Sequence, residues 1–363
     1  MATASKVYIT EFMFTRLKNM RFLIIAAAIG MIVVWSSGSA VAEDIFVNNV
    51  SGNDESNGNP ITDPGANSGP VKTIARALQL VQQGDRVVIQ NTGQPYRECI
   101  TIQGTRHSGT QYQAFTIVSD GATLDGTAAV NPRSWERYAG DIYRFMPELK
   151  SHQQLYMDGK PADRVWSELD AYLPDLEVNQ WALVDGWIYF RADKDRLPTE
   201  YDLRYCKHQT GITLYEVNHV VIEGLVVQGF QLDGINAHED VRNSGVRNCK
   251  IRGNGRSGLS VGGASRFRID DSLVGSNGSS QIRTEGYCSL KIQDCRLLES
   301  ERTGPAIDRK GGRILIDGNE FVVAMAKLKP NFKSASAPNT GMKANNATSV
   351  RPLRPLRRGG GNR

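Results

Sequence analysis

Residues 246–255 read VRNCKIRGNG, and the first six of them recur along the chain. IEGLVV begins at Ile222, IDDSLV at Ile269, IQDCRL at Ile292 and IDGNEF at Ile316; with Val246, the starts lie 24, 23, 23 and 24 residues apart. A second series keeps step with the first: GITLY at Gly211, GINAH at Gly234, GLSVG at Gly258, QIRTE at Gln281 and AIDRK at Ala306, spaced 23, 24, 23 and 25. Self-similarity at a fixed period of this size is the mark of stacked supersecondary units.

Within each period, short apolar runs alternate every second residue and are separated by Gly, Asn, Asp and Ser, too briefly for helices. Asn254-Gly255 and Asn277-Gly278 recur at one corner, where a left-handed backbone is expected. Turns of equal length wound the same way make a parallel β-helix. A β-sandwich of short strands would not require the constant register. Inward residues then stack in ladders about 4.8 Å apart. One ladder is Ile222, Val246, Ile269, Ile292, Ile316; another is Val227, Ile251, Val274, Leu297, Phe321.

Cys249 alone could be half of a disulfide, a metal ligand, a reactive thiol or a small buried residue. The register decides: Leu225, Cys249, Ser272, Cys295 and Asn319 share one place in successive coils. Two coils separate Cys249 from Cys295, about 9.6 Å, beyond the roughly 7 Å that a disulfide spans. The expectation is a buried, inert thiol. The five cysteines, Cys99, Cys206, Cys249, Cys288 and Cys295, contain no CxxC pair.

Ahead of the repeats stand IFVNNVSGNDESNGN from Ile45 and GPVKTIARALQLVQQGDRVVIQNTGQPYRECITI from Gly69. Val71, Ile74, Ala75, Leu78 and Val81 fall on one helical face, with Gly84 as the C-cap, so a helix is expected to cover the open end of the solenoid. Val87–Ile89, Ile100–Ile102 and Phe115–Val118 become the first coils. These stretches resemble the right-handed parallel β-helix family, the fold of pectate lyases and related polysaccharide enzymes, over most of 44–326. The resemblance implies a polysaccharide partner, with calcium as a cofactor on that ground alone; the residues themselves leave cofactor and metal unknown.

Between 128 and 205 the repeat stops. Trp135, Trp166, Trp181 and Trp187 cluster there, and LYMDGKPA and WALVDGWIYF each alternate around Asp-Gly, a tight-hairpin signature. The fold class expected is all-β: a right-handed parallel β-helix with an N-terminal capping helix and an inserted all-β, sandwich-like module. Its parts are a secretion signal over 1–42, cap and first coils over 43–127, the insert over 128–205, further coils over 206–326 and a disordered basic tail over 327–363. The signal reading rests on Lys6, Arg16, Lys18 and Arg21, an apolar run from Phe22 to Trp35 and the small-x-small site Ala40-Val41-Ala42. Cleavage after Ala42 leaves a secreted, periplasmic or extracellular protein with no stable membrane span, read as a monomer. An uncleaved anchor is the competing reading, although the run is short for a span.

Net charge is +5, but residues 327–363 hold nine bases and no acids and residues 1–42 contribute a further +3, leaving −7 on residues 43–326. The basic balance belongs to the tail, so it gives no footprint for nucleic acid. No GxSxG, HExxH or P-loop is present.

Chemistry is therefore sought on outward stripes of the coils. Thr213, Asn236, Ser260, Arg283 and Asp308 form one; Tyr215, His238, Gly262, Glu285 and Lys310 form the other, about 6.5 Å away on the same face. His238, Arg283, Glu285, Asp308 and Lys310 are the candidate catalytic residues, with Tyr215, Asn236 and Ser260 as candidate substrate contacts. In a lyase, Arg283 or Lys310 would take the proton beside a uronate; in a hydrolase, Glu285 and Asp308 would be the acid/base pair; His238 suits either as a proton-transfer group. The competing reading makes Arg283–Asp308 and Glu285–Lys310 ion pairs on a wet sheet. The function expected is a secreted polysaccharide-active protein, lyase or glycosidase, with a non-catalytic glycan-binding or cell-surface protein as the alternative. Arg309 falls at an inward position, which predicts that the solenoid ends there.

Overall fold

The computed structural model describes residues 42–59, 67–167, 172–300 and 305–324. All belong to the compact unit Met1–Ala326; the tail 327–363 and the apolar signal run 22–35 lie outside the described residues. Among the described residues, three parallel sheets of eight, six and six strands run the length of the solenoid, and each full coil contributes one strand to each.

The coil that opens at Val220 shows the plan. Val220–Glu223 lies in the first sheet, Val226–Gln228 in the second and Asp233–His238 in the third. The register is the one the period predicts: Ile222 pairs with Val246, then Ile269, Ile292 and Ile316. Val227 pairs with Ile251, Val274, Leu297 and Phe321 in the same way. The first ladder also reaches back through Ile117 and Val87 to Ile45, across the 128–205 insertion. Alternate residues point inward, so one continuous apolar core fills the coil.

The first-to-second-sheet corner has only two residues. Its first residue is left-handed in every repeat: Gly224, Asn248, Asp271, Asp294 and Gly318, with φ of 74, 51, 45, 52 and 63°. Its second is the Cys249 position. There two of the side chains serve the coil before them: Ser272 Oγ accepts from the Cys249 N–H at 3.1 Å, and Asn319 Oδ1 accepts from the Cys295 N–H at 2.8 Å. Cys249 is 1% exposed, and burial pushes its thiol up to about 11. All five cysteines are free.

The second-to-third-sheet corner works differently from the expectation. Asn254 and Asn277 are not left-handed; Gly253 and Ser276, one residue earlier, are. The asparagines instead point into the core, both fully buried. Asn254 Oδ1 accepts from the Phe230 N–H, and Asn277 Oδ1 from the Asn254 N–H and side-chain amide. This second polar ladder satisfies backbone donors that would otherwise be buried and unpaired.

Helix α1 (Ile74–Leu80) precedes the strand Arg86–Ile89 and buries Ile74, Ala77 and Leu78 in the solenoid core. It is shorter than the apolar spacing suggested. Ala75 is exposed and Ala77 takes the inward place; the C-cap is Val81, and Gly84 (φ 82°) serves the following turn. Thr73 caps the N-terminus, and Glu98 accepts from the N–H groups of Ile74 and Ala75.

The 128–205 stretch forms two mainly antiparallel sheets, of four and five strands among the described residues. Both Asp-Gly hairpins form, with positive φ at Asp158-Gly159 and Asp185-Gly186. Phe145, Trp181, Ile188 and Phe190 from one sheet meet Leu155 and Leu203 from the other in a core separate from that of the solenoid.

With thiol reagent, native protein is expected to react at the exposed Cys99, while Cys206, Cys249, Cys288 and Cys295 react only on unfolding. Site-resolved labelling checks this; native modification of Cys249 at the Cys99 rate would contradict the buried ladder.

Candidate functional site

The third sheet carries the two outward stripes. Thr213, Asn236, Ser260, Arg283 and Asp308 are register partners in five consecutive coils. Tyr215 pairs with His238, and the rings meet edge to face at 5.2 Å. Gly262 continues that row: a Cβ there would stand 3.8 Å from the His238 Cβ and 3.3 Å from Glu285 Cγ. The absent side chain leaves a depression between an imidazole and a carboxylate.

The charged end of this face is one network around Arg283. Its Nη1 donates to Asp308 Oδ2 and its Nη2 to Glu285 Oε2, each at 3.2 Å. Lys310 Nζ lies 3.2 Å from Asp308 Oδ1. The expected Glu285–Lys310 pair does not form, because Arg283 lies two residues before Glu285 on the same strand and reaches it first. Glu285 keeps 51% of its side chain exposed against 23% for Asp308, so it is the more accessible carboxylate. Ser260 is buried, in contrast to the contact role expected for it. Arg309 registers with the buried Thr284 but is exposed, its guanidinium turned onto the Gly312 carbonyl; the core ends one coil earlier.

One group invisible to the repeat joins this face. The insert lies against the second-to-third-sheet corner: Tyr156 donates to the Gly253 carbonyl at 2.8 Å and Gln231 to the Ser151 carbonyl at 2.5 Å. Gly255 is required by this contact rather than by its φ, since a Cβ there would meet the His152 carbonyl oxygen at 1.5 Å. His152 is left-handed (φ 50°), and its Nδ1 is 3.3 Å from Ser279 Oγ. Burial first, then the charge of Arg256, holds its imidazole below the ordinary histidine range, with Arg164 and Arg283 acting the same way. Arg256 is itself clamped on the fully buried Asp233, which also accepts from Ser257. A pocket of about 450 Å3 opens here, lined by His152, Arg164, Trp166, Leu183 and Ser279 among others. The Arg164 guanidinium lies 3.5 Å from the Trp166 ring centroid.

Among the described residues, no group of three or more His, Cys, Asp or Glu side chains could hold a metal ion. Among the described residues, Glu239-Asp240 and Asp270-Asp271 gather no third such side chain. No helix among the described residues is long and apolar enough to cross a membrane.

Residues 199–349 match the family model described as right handed beta helix region. That match and the three parallel sheets agree on a right-handed parallel β-helix fold for the coils. Solved structures similar to this chain include XylC with xylose, at 12% identity and a TM-score of 0.46, covering 77% of this chain and 65% of that one. A glycoside hydrolase matches at 10% and 0.38, covering 77% and 97%. Pectate lyase Pel9A matches at 10% and 0.37, covering 74% and 56%. The chain thus spans just under two thirds of XylC and little more than half of Pel9A, and these scores assign it no activity. No curated protein matches it significantly.

His152 has a folded-state proton affinity below its unfolded one, as do His107 and His208. The unfolded chain therefore binds more protons, and stability present above about pH 6.5 is lost as pH falls through the histidine range. Urea unfolding at pH 7.5 and pH 5 is expected to show a lower midpoint at pH 5, and His152→Gln to show a smaller drop than the parent. An equal drop in both would remove His152 as a contributor. Gly255→Ala is expected to destabilise by about 2 kcal/mol or more, measured by the same unfolding transition.

Proposed function

We propose that this is a secreted, glycan-active β-helix protein that engages an extracellular polysaccharide along the outer face of its third sheet. The observation that carries the proposal is the row Tyr215, His238, Gly262, Glu285, in which two rings and one accessible carboxylate border a site where Gly262 has no side chain. The π face of an aromatic ring suits the C–H face of a sugar, and a glycine lets a ring approach the backbone. The insert's pocket at His152 flanks the same sheet and supplies further contacts. The export signal supports a location outside the cytoplasm, and the resemblance to polysaccharide enzymes supports the substrate class.

For turnover, the geometry favours a hydrolase over a lyase. Both Nη atoms of Arg283 donate to carboxylates, and Lys310 is bound to Asp308, so neither presents itself as a base. Glu285 is the proton-transfer carboxylate, with His238 one coil beyond Gly262; Arg283 orients Glu285 and Asp308. The alternative, binding without turnover, is favoured by the same ion-pair network, since alternating charges on a wet sheet also stabilise it modestly.

Incubation with a panel of neutral and uronate polysaccharides separates these readings. Release of reducing ends, lowered 10²- to 10⁴-fold by Glu285→Gln, is the outcome expected of a hydrolase. Unsaturated-uronate absorbance would show a lyase instead. Retention on insoluble glycan without any product would leave the binding reading. Neither product nor retention, with folding verified, would overturn the proposal.

A further inference from the structure

The outer surface of the first sheet is charged in a different manner from that of the third. On the third sheet, Arg283 is placed opposite Asp308. On the first, Arg268 is the register partner of Lys291, and Arg266 and Arg313 both flank Ser289. Like charges directly opposite one another destabilise a sheet. The acids of this face are confined to the next row, Glu223, Asp270 and Asp317, where Asp270 bonds Arg268 and Glu223 bonds Arg247. Among the described residues Arg266, Lys291 and Arg313 have no carboxylate partner. A cationic strip thus spans three coils of a body whose own net charge is negative.

The strip borders a groove of about 570 Å3, larger than the pocket at His152. Gly245 forms its floor: a Cβ there would meet the Arg268 carbonyl oxygen at 2.5 Å, so the strand next to the cations stays bare. Asn243 and Ser289 line it with hydrogen-bonding groups, and its two acids, Asp270, which is held by Arg268, and Asp271, are outnumbered by Arg247, Arg266, Arg268 and Lys291.

We infer that this groove is a second binding surface, for an acidic polysaccharide, on a different sheet from the proposed glycan site. Each of the three coils supplies a cation, Arg266 and Arg313 in one row and Lys291 two residues along in the next, so a linear polyanion crossing the coils at about 4.8 Å per step meets positive charge on each. A nucleic acid is the lesser fit, because the one aromatic ring lining the groove, Phe267, is buried and offers bases no stacking platform.

The test compares the full-length parent with Arg266→Glu/Lys291→Glu by affinity electrophoresis in gels containing polygalacturonate, neutral dextran or duplex DNA, at low and at 0.5 M salt. The basic tail is present in both proteins and cancels in the comparison. The parent is expected to be retarded by polygalacturonate at low salt and not by dextran, and to be released at high salt. The double variant is expected to bind polygalacturonate about 10-fold more weakly with an unchanged circular dichroism spectrum, since Arg266 is exposed and Lys291 half-exposed. Arg133→Glu/Lys194→Glu, an equal change of charge at two exposed positions of the insert, is expected to bind it like the parent, which separates this surface from an effect of net charge. No retardation of the parent, equal retardation of parent and double variant, or a larger effect of the double variant on DNA than on polygalacturonate would overturn the inference.

Discussion

A coil that turns from one sheet to the next in two residues must place one of them in the left-handed region and leave one backbone N–H inside. Everything else in the solenoid follows from meeting that requirement five times over. Gly, Asn and Asp take the left-handed place because they bear it at least cost. Where the residue that follows is Ser272 or Asn319, its side chain receives the buried N–H of the preceding coil. With the corner fixed, the strand after it has no freedom of register, and the apolar ladders align.

That coupling explains why the ladders could be read from sequence alone. Ile222 to Ile316 recur at near-constant spacing because a one-residue slip would turn every inward side chain outward. The outward stripes were legible for the same reason: once the inner register is set, Asn236, Arg283 and Glu285 have no choice of face. What the period could not supply was any contact between segments of unequal spacing. His152 lies in the insert, and only the packing of Tyr156 and Gln231 against the corner brings it toward Arg256 and Arg283. Gly255 was misread for a related reason. Its neighbour in space is the carbonyl of His152, about a hundred positions earlier, so the sequence showed a turn residue where the fold needed an absent side chain. The pairing within the charged patch also differed, since two side chains on one strand outcompeted a pair on neighbouring coils.

The faces divide the work of the charged residues. Opposite signs face each other on the third sheet, which holds Glu285 in place while leaving it accessible. On the first sheet, like signs face each other, and repulsion is tolerated where solvent screens it. The insert keeps its own core, so its aromatic residues stabilise the module, and it touches the solenoid through groups that include the Tyr156 hydroxyl, the Ser151 carbonyl and the strained backbone of His152.

The coil of 23 or 24 residues makes length a separable variable. A solenoid coil touches only its neighbours, so duplicating one would extend every stripe by a single step of about 4.8 Å and leave the residues on either side in their present surroundings. A globular enzyme must rebuild its cleft to accommodate a longer polymer. This architecture can lengthen its binding face by copying a segment, with the corner residues carrying the instructions for where the new strand must lie.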